Sequence, residues 1–332
     1  MDGAIPRDGL HHAGRVPMGT GSSLMIGIQL CGRLGNQMFQ YATARTLAES
    51  QGCRLLVAAN TPTRRYGLLS YMLGLHRRGP HAEMRQNGRL YEAFELGPSF
   101  VRGRLLELSL PWWRWRCCPK DFRPRTSTIG GQDFEEFDPR LLVQPPGTWL
   151  GGLFQSAGYF AHNEGRVRQW FRLPPAAASE VRAIVREWPR PPERTAAMHI
   201  RRGDYLAHRD GIGGADAGWA LPLSYYDDAL ARLPEGVGLA IFSDDPGWAA
   251  ERFKPWRPWV SRGHSAAIDM MAMSLCRSMV IANSSFSWWA AWLNADPEKT
   301  VIAPEFHLGF RVGRWIPNGI AVSGWQYLRV AS

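Results

Sequence analysis

Thr195-Ala196-Ala197-Met198-His199-Ile200-Arg201-Arg202-Gly203-Asp204-Tyr205 is a short apolar run that ends abruptly in charge. It reads as a buried strand over 196–200 closed by a polar loop. In open α/β sheets, ligands sit outside the carboxyl ends of strands, so this loop is placed for binding. Each guanidinium offers a planar fork of donors that meets phosphate oxygens two at a time. The expected ligand is therefore a phosphorylated small molecule. An exposed loop with salt bridges is the plain alternative, and an Arg-Arg pair alone favours it. The surrounding chain changes that balance.

Downstream, 238–242 reads as a strand ending at Ser243-Asp244-Asp245-Pro246, with Pro246 opening a helix whose first turns span 248–253. A strand over 278–282 ends at Asn283-Ser284-Ser285-Phe286-Ser287 and a helix over 288–293 follows it. Another strand covers 300–304. Helices are expected over 224–233, with Ser224 as N-cap, and over 267–276. This alternation predicts a parallel sheet with helices on both faces. Upstream, 25–30 reads as a first strand, 31–37 as a Gly-punctuated turn, 38–51 as a helix and 54–58 as a second strand. That is the opening of a Rossmann-type unit, whose helix N-terminus can receive an anion. Its glycines run G-x-x-G, so the dinucleotide fingerprint G-x-G-x-x-G is missing. A strand begins at Thr148 and a helical stretch covers 167–171. Pro-rich flanks at 173–175 and 188–192 bracket a helix over 177–187, which makes this the linker candidate. Residues 60–150 show few clean periods.

The 332 residues predict two domains. The net charge of +10 rests on 36 Arg and three Lys, scattered without the block that marks a nucleic-acid tail. Five cysteines, an odd count without C-x-x-C, argue against a disulfide framework or zinc site and for a reducing compartment. No run of about 18 apolar residues predicts a transmembrane helix. Residues 1–24 are rich in Gly, His and Arg without an apolar core. They read as a disordered lead, with Met1, Met18 and Met25 all sensible starts, and not as a secretory signal. Over 102–125, basic residues interleave with Trp112, Trp113, Trp115 and Phe122. Arg stems packed over a partly buried aromatic cluster are the preferred reading. A patch for an acceptor or an anionic membrane surface is the sharper one.

Three loops, at 199–205, 243–245 and 283–287, should share one rim of the sheet. Asn283-Ser284-Ser285 precedes a helix, so hydroxyls and helix N–H groups would face a phosphate together. Plain N-capping accounts for one of these Ser residues but not for the run. For Ser243-Asp244-Asp245, capping and binding are equally good readings. None of the 14 Asp forms a D-x-D, and no Walker A Lys, H-E-x-x-H or G-x-S-x-G occurs. A diphosphate leaving group would be neutralised by Arg and dipoles, with no metal or cofactor expected. The residues thus point toward transfer from a nucleoside diphosphate derivative, with the acceptor open.

Four motifs resemble those of the bacterial α-1,2-fucosyltransferases, within the wider superfamily of α-1,2-, α-1,6- and protein O-fucosyltransferases. They are Gly32-Arg33-Leu34-Gly35-Asn36-Gln37-Met38-Phe39-Gln40-Tyr41-Ala42, His199-Ile200-Arg201-Arg202-Gly203-Asp204-Tyr205, Phe242-Ser243-Asp244-Asp245 and Ile281-Ala282-Asn283-Ser284-Ser285-Phe286-Ser287-Trp288-Trp289-Ala290. Arg33 stands where the family usually has Gly, as in some protein O-fucosyltransferases. The resemblance implies a GT-B-like α/β fold of two Rossmann-type domains with parallel sheets. An acceptor domain would span 25–175 and a GDP-fucose-binding domain 190–332. The implied reaction is metal-independent, inverting transfer of L-fucose from GDP-β-L-fucose to the 2-hydroxyl of a galactose-terminated glycan. A catalytically silent GDP-sugar or glycan-binding protein is the alternative.

By the same resemblance, Arg201 would hold the β-phosphate, and His199 and Asp269 the guanosine end. Ser284 and Ser285 would hold phosphate oxygens. Gly32, Gly35, Asn36 and Gln37 would close over the fucose and diphosphate, with Arg202, Asp244 and Asn283 completing the donor site. The catalytic set is Arg201, Asp204 and Asp210. If a base deprotonates the acceptor, the candidates are Asp204, His208, Asp210 and Asp216. Asp204 has the simpler alternative of orienting Arg201 or Arg202. The expected location is cytoplasmic, with peripheral contact at the inner face of the membrane.

Overall fold

The computed structural model describes residues 24–58, 90–96, 110–129, 131–207 and 218–331. Two parallel sheets organise these residues. The smaller contains β1 (Met25–Gln29), β2 (Arg54–Ala58), β3 (Lys120–Phe122) and β6 (Thr148–Leu150), in the order β2-β1-β6-β3. A hairpin of β4 (Thr126–Ile129) and β5 (Gln132–Glu135) stands beside it. The larger contains β7 (Thr195–Ile200), β8 (Gly238–Ser243), β9 (Trp259–Val260), β10 (Ser278–Val280), β11 (Thr300–Pro304) and β12 (Gln326–Leu328). Its order is β12-β11-β10-β7-β8-β9, and every pairing is parallel. This is the α/β architecture of parallel sheets that the sequence predicts.

The helices are α1 (Leu34–Ser50), α2 (Leu90–Ala93), α3 (Leu110–Cys117), α4 (Glu164–Trp170), α5 (Pro175–Arg186), α6 (Gly203–Ala207), α7 (Leu223–Leu230), α8 (Pro246–Arg252), α9 (Ala266–Met273) and α10 (Ser285–Leu293). β7 is central and buried at all six positions. Its Ala196, Met198 and Ile200 pack on one face with Tyr225, Leu230 and Phe253, while Ala197 joins the core on the other. A strand covered on both faces has to read as a continuous apolar run, and this one does.

The core between the sheets is built on α10. A helix apolar on every side belongs in the interior, and Ser287 to Leu293 are all buried. Phe39 of α1 meets Trp288 at 4.4 Å and Trp289 at 5.0 Å between ring centroids. The Trp289 indole N–H donates to the Gly35 carbonyl at 2.9 Å, and that of Trp288 donates to Ile320 at 2.8 Å. Each large aromatic therefore buries its ring and satisfies its polar edge. One apolar cluster runs from Ile26 and Ile28 of β1 through α1 and α10 to Met279 of β10.

Several boundaries depart from the expected ones. α1 begins at Leu34, not at residue 38, because Gly32 makes the turn at φ +75° and Arg33 already stands as the extended N-cap. Gly35, Asn36 and Gln37 thus lie in the first helical turn. α7 begins at Leu223 with Pro222 at the N-cap, so Ser224 sits inside the helix and caps nothing. The apolar pair Tyr225 and Tyr226 must be buried on this turn, and that sets the helix start. The edge strands β9 and β12 and the strands β3 to β5 were not foreseen.

Around the basic-aromatic stretch, Arg114 lies over the Trp149 ring at 5.0 Å and pairs with Asp121, and Phe122 is buried. Trp115, in contrast, is 75% exposed. Among the described residues, no helix is long and apolar enough to cross a membrane.

Candidate active site

Among the described residues, each sheet has one switch point. In the larger sheet the chain steps from β7 to β8 and β9, then returns to β10 on the other side of β7. In the smaller it steps from β1 to β2, then returns through β3 to β6 on the other side of β1. Crevices at such reversals, outside the carboxyl ends of the strands, are where ligands bind in open α/β sheets. The loops flanking them follow β7 and β10 in one sheet, and β1 and β6 in the other.

The loop after β7 carries the paired arginines. Arg201 is mostly buried and uses both arms of its fork. Nη2 meets Asp204 Oδ1 at 2.5 Å, and Nη1 meets Asp244 Oδ2 at 3.2 Å. Asp244, at the end of β8, also accepts the Arg202 backbone N–H at 2.9 Å. A Cβ at Gly203 would stand 2.7 Å from Asp244 Oδ2, so the loop closes this tightly around the carboxylate because residue 203 has no side chain. The Arg202 guanidinium lies 3.6 Å from the Trp248 ring centroid. Its Nε is buried, 3.8 Å from Asp245 Oδ2, too far for a hydrogen bond. Asp245 instead caps α8 through the Trp248 N–H.

The loop after β10 gives each polar residue a separate task. The Asn283 side chain donates to the Trp219 carbonyl at 2.8 Å, while its Oδ1 is buried without a partner. Ser284 is the N-cap of α10. Ser285 Oγ donates to Asn36 Oδ1 at 2.9 Å. Ser287 Oγ contacts His199 Nδ1 at 2.9 Å. His199 is buried against Phe286, and loss of hydration drives its pKa down to about 4 against the opposing pull of Asp244. The imidazole is neutral at neutral pH. The Tyr205 hydroxyl donates to the Asn283 carbonyl at 3.2 Å, and burial pushes its pKa up to about 12. Capping alone thus explains Ser284 and leaves Ser285 and Ser287 for other work.

Asp269 lies in the first turn of α9 and accepts the Ser261 hydroxyl at 2.6 Å. Burial raises its pKa to about 6, with Ser261 and His264 opposing and Glu180 adding to the rise.

The smaller sheet meets this rim at two points. Arg33 Nη2 lies 3.2 Å from Asp204 Oδ2. Gly35 packs directly on Ser285, where a Cβ would come within 2.6 Å of the Ser285 carbonyl carbon. Asn36 Oδ1 accepts from both Ser285 and Gln155 Nε2, each at 2.9 Å. Gln37 braces the turn through Gly32 O at 2.9 Å. Gln40, fully buried, takes the Cys31 N–H at 2.9 Å and donates to Gly152 O at 3.0 Å, joining the two loops of that switch point. The Glu135 carboxylate accepts the Leu153 and Phe154 N–H groups at 2.7 and 2.9 Å, and burial raises its pKa. Phe154 is held there at φ +53°.

The structure therefore gathers Gly32, Gly35, Asn36, Gln37, Arg201, Arg202, Asp204, Asp244, Asn283, Ser284 and Ser285 where the two sheets meet. It sets His199 behind them and Asp269 on a neighbouring helix. Asp210, His208 and Asp216 lie outside the described residues. Sequence reasoning gave no task to Gln40, Glu135, Gln155 or Ser287. Gln40 and Ser287 lie inside the quoted motifs, but nothing local there marks their partners.

The family model of Glycosyl transferase family 11 matches residues 149–328. The chain is 29% identical over 299 residues to the O-antigen biosynthesis glycosyltransferase WbnK of Escherichia coli, covering 83% of this chain and 92% of that one. It is 27% identical over 291 residues to an alpha-1,2-colitosyltransferase of Escherichia coli, covering 83% and 90%. Among solved structures, the fucosyltransferase NodZ from Bradyrhizobium aligns with a TM-score of 0.44 at 13% identity, over 81% of this chain and 93% of that one. Matched to that family over more than half of its length, the chain belongs to glycosyl transferase family 11 and is a glycosyltransferase.

Proposed function

We propose that the chain moves L-fucose from GDP-β-L-fucose to the 2-hydroxyl of a terminal galactoside, with inversion at the anomeric carbon and without a metal ion. The observation that carries this reading is Arg201 at the switch point, beside the hydroxyl-bearing N-terminus of α10. Breaking the sugar–phosphate bond puts charge on the departing diphosphate. A guanidinium and helix N–H groups fixed in advance lower that barrier without reorganisation. Inversion requires the acceptor oxygen to arrive from the face opposite GDP, which assigns the acceptor to the rim of the smaller sheet. On this reading, 25–175 is the acceptor domain and 190–332 the donor domain.

The 1,2-linkage and a polysaccharide acceptor also draw support from the two relatives, named for α-1,2-transfer and for O-antigen biosynthesis. The first of those names favours a second reading, in which colitose is the transferred sugar. The proposal of metal independence is supported by guanidiniums available to neutralise the diphosphate in a chain that has no D-x-D. A cytoplasmic location, with exposed Trp115 turned to the inner face of the membrane, belongs to the same proposal.

Incubation with GDP-fucose and lactose in excess EDTA should release GDP and form a trisaccharide. Binding of GDP-fucose without release would favour the silent binding protein. Activity lost to EDTA and restored by Mg²⁺ or Mn²⁺ would overturn metal independence. Product from GDP-colitose but not GDP-fucose would select the second sugar.

A further inference from the structure

Arg33 is a cation in the site with no task in the reading above. It is the N-cap of α1, in extended conformation at φ −85° and ψ 177°, and its side chain makes no capping hydrogen bond. Its guanidinium reaches across to the other sheet. Asp204 offers one oxygen to Arg33 Nη2 at 3.2 Å and the other to Arg201 Nη2 at 2.5 Å. A single carboxylate thus spans two guanidiniums from opposite sheets. A phosphate group, with more oxygens and more charge, is recognised through the same contacts.

The surroundings favour such an anion. The N-termini of α1, 17 residues long, and α10, nine residues long, abut at Gly35 and Ser285. Both present the positive end of a helix dipole to this spot. The Arg33–Asp204 pair has side chains 39% and 49% exposed, and ion pairs that exposed are weak. A diphosphate can therefore displace the carboxylate.

We infer that Arg33 is a donor-binding residue: its guanidinium and that of Arg201 clamp the diphosphate from opposite sheets, and Asp204 is the internal anion they release. This rests on the nucleotide-sugar reading of the site. The clamp ties donor binding to the smaller sheet, so that the leaving group and the acceptor rim are held together. It also leaves the Asp204 carboxylate without its guanidinium partners once the donor is seated.

The test is a double-mutant cycle on the full chain, with Arg33→Ala, Asp204→Asn and the double variant. Calorimetric GDP affinity, donor KM and kcat, and a thermal melt would be recorded for each. Arg33→Ala should weaken GDP binding about 10- to 100-fold, the worth of a hydrogen bond to a charged group. The melt should barely move, and Arg33→Lys should recover part of the loss. The same loss should persist in the Asp204→Asn background, because phosphate and not Asp204 is the partner that counts. A loss that vanishes in that background would reduce Arg33 to a partner of Asp204 and overturn the inference. So would GDP affinity within twofold of wild type in Arg33→Ala. Wild-type protein that fails to bind GDP would overturn the donor reading as well, which separates the two failures.

Discussion

The two switch points face each other with the same architecture and different chemistry. At the larger sheet the crevice is lined by Arg201, Arg202, Asp204 and Asp244, with the hydroxyls of Ser284 and Ser285. At the smaller sheet the corresponding loops are held by two amides and one carboxylate: Gln40 to Gly152, Gln155 to Asn36, and Glu135 spent on two backbone N–H groups. On the proposed reading, one rim meets the charge that develops during transfer. The other, apart from Arg33 at its edge, offers on that reading a hydrogen-bonding surface of the kind a sugar hydroxyl needs. Strand order positions both crevices, and the residues just past the strand ends decide what each one does.

The sharpest way to break this contrast is Arg201→Ala. Removing one fixed donor from a developing oxyanion costs about 2.7–4 kcal/mol in the transition state, or about 10²–10³ in kcat. Arg201→Lys should recover little, because an ammonium cannot span Asp244 and a phosphate with a rigid fork. Turnover and GDP affinity would be measured for both variants. Near-normal turnover in Arg201→Ala would remove the larger rim's claim to the leaving group. Truncating Gln155 to Ala on the other rim should instead raise acceptor KM and leave GDP affinity unchanged.

Next comes the seam between the rims. Gly35→Ala places a Cβ 2.6 Å from the Ser285 carbonyl carbon and 2.7 Å from its Oγ. Backbone cannot yield as a side chain does, so the N-termini of α1 and α10 must part. Overpacking of this kind costs about 1–3 kcal/mol. Thermal unfolding should show that loss, and donor KM should rise because the proposed donor site includes the seam. Gly165→Ala, in α4 with open space around it, is the control and should be neutral or stabilising by up to about 1 kcal/mol. A wild-type donor KM in Gly35→Ala would show that the two helix ends need not touch.

The larger rim was also the more legible one. β11 falls on its expected residues 300–304, and β7 starts one residue early, because buried central strands read as apolar runs bounded by turns. Arg201, Arg202, Ser284 and Ser285 could be placed by the strand-end rule alone. In the smaller sheet β1 and β2 were legible in the same way, at 25–30 and 54–58, but the rest was not. β3 spans three residues, and the hairpin β4–β5 has only exposed and half-buried positions and no apolar face. Glu135 and Gln155 act on partners 18 and 119 residues away, which no local period can mark. The early start of α1 is a tertiary effect, since Leu34 and Gly35 are buried and Gly35 packs on Ser285. Arg33 was visible as a residue, but its bond to Asp204 was not.

The smallest expected effect concerns Asp269, which the sequence alone describes as a carboxylate on a helix. It is buried, and its pKa is raised to about 6, first by loss of hydration. The family resemblance puts it at the guanosine end of the donor, where it would accept guanine N–H groups and so must be ionised. GDP affinity should therefore increase as pH rises through about 6 and level off above, falling roughly tenfold for the first unit below the pKa. Stability runs the other way at this residue. A carboxyl whose pKa is raised in the fold contributes stability at low pH and loses it as pH rises through about 6. His199, lowered to about 4, has the opposite sign: its contribution is present above the ordinary His value and is lost as pH falls toward 4. Binding and melting curves should thus separate, and repeating the titration with GDP-fucose, which lacks the terminal phosphate ionisation at about pH 6, isolates the affinity step of Asp269. Asp269→Asn should flatten that step at the weaker plateau and leave the His199 limb of the melting curve in place. A step that survives in Asp269→Asn would assign the titration to another group, and GDP affinity flat from about pH 5 to about 7.5 would detach Asp269 from the guanosine.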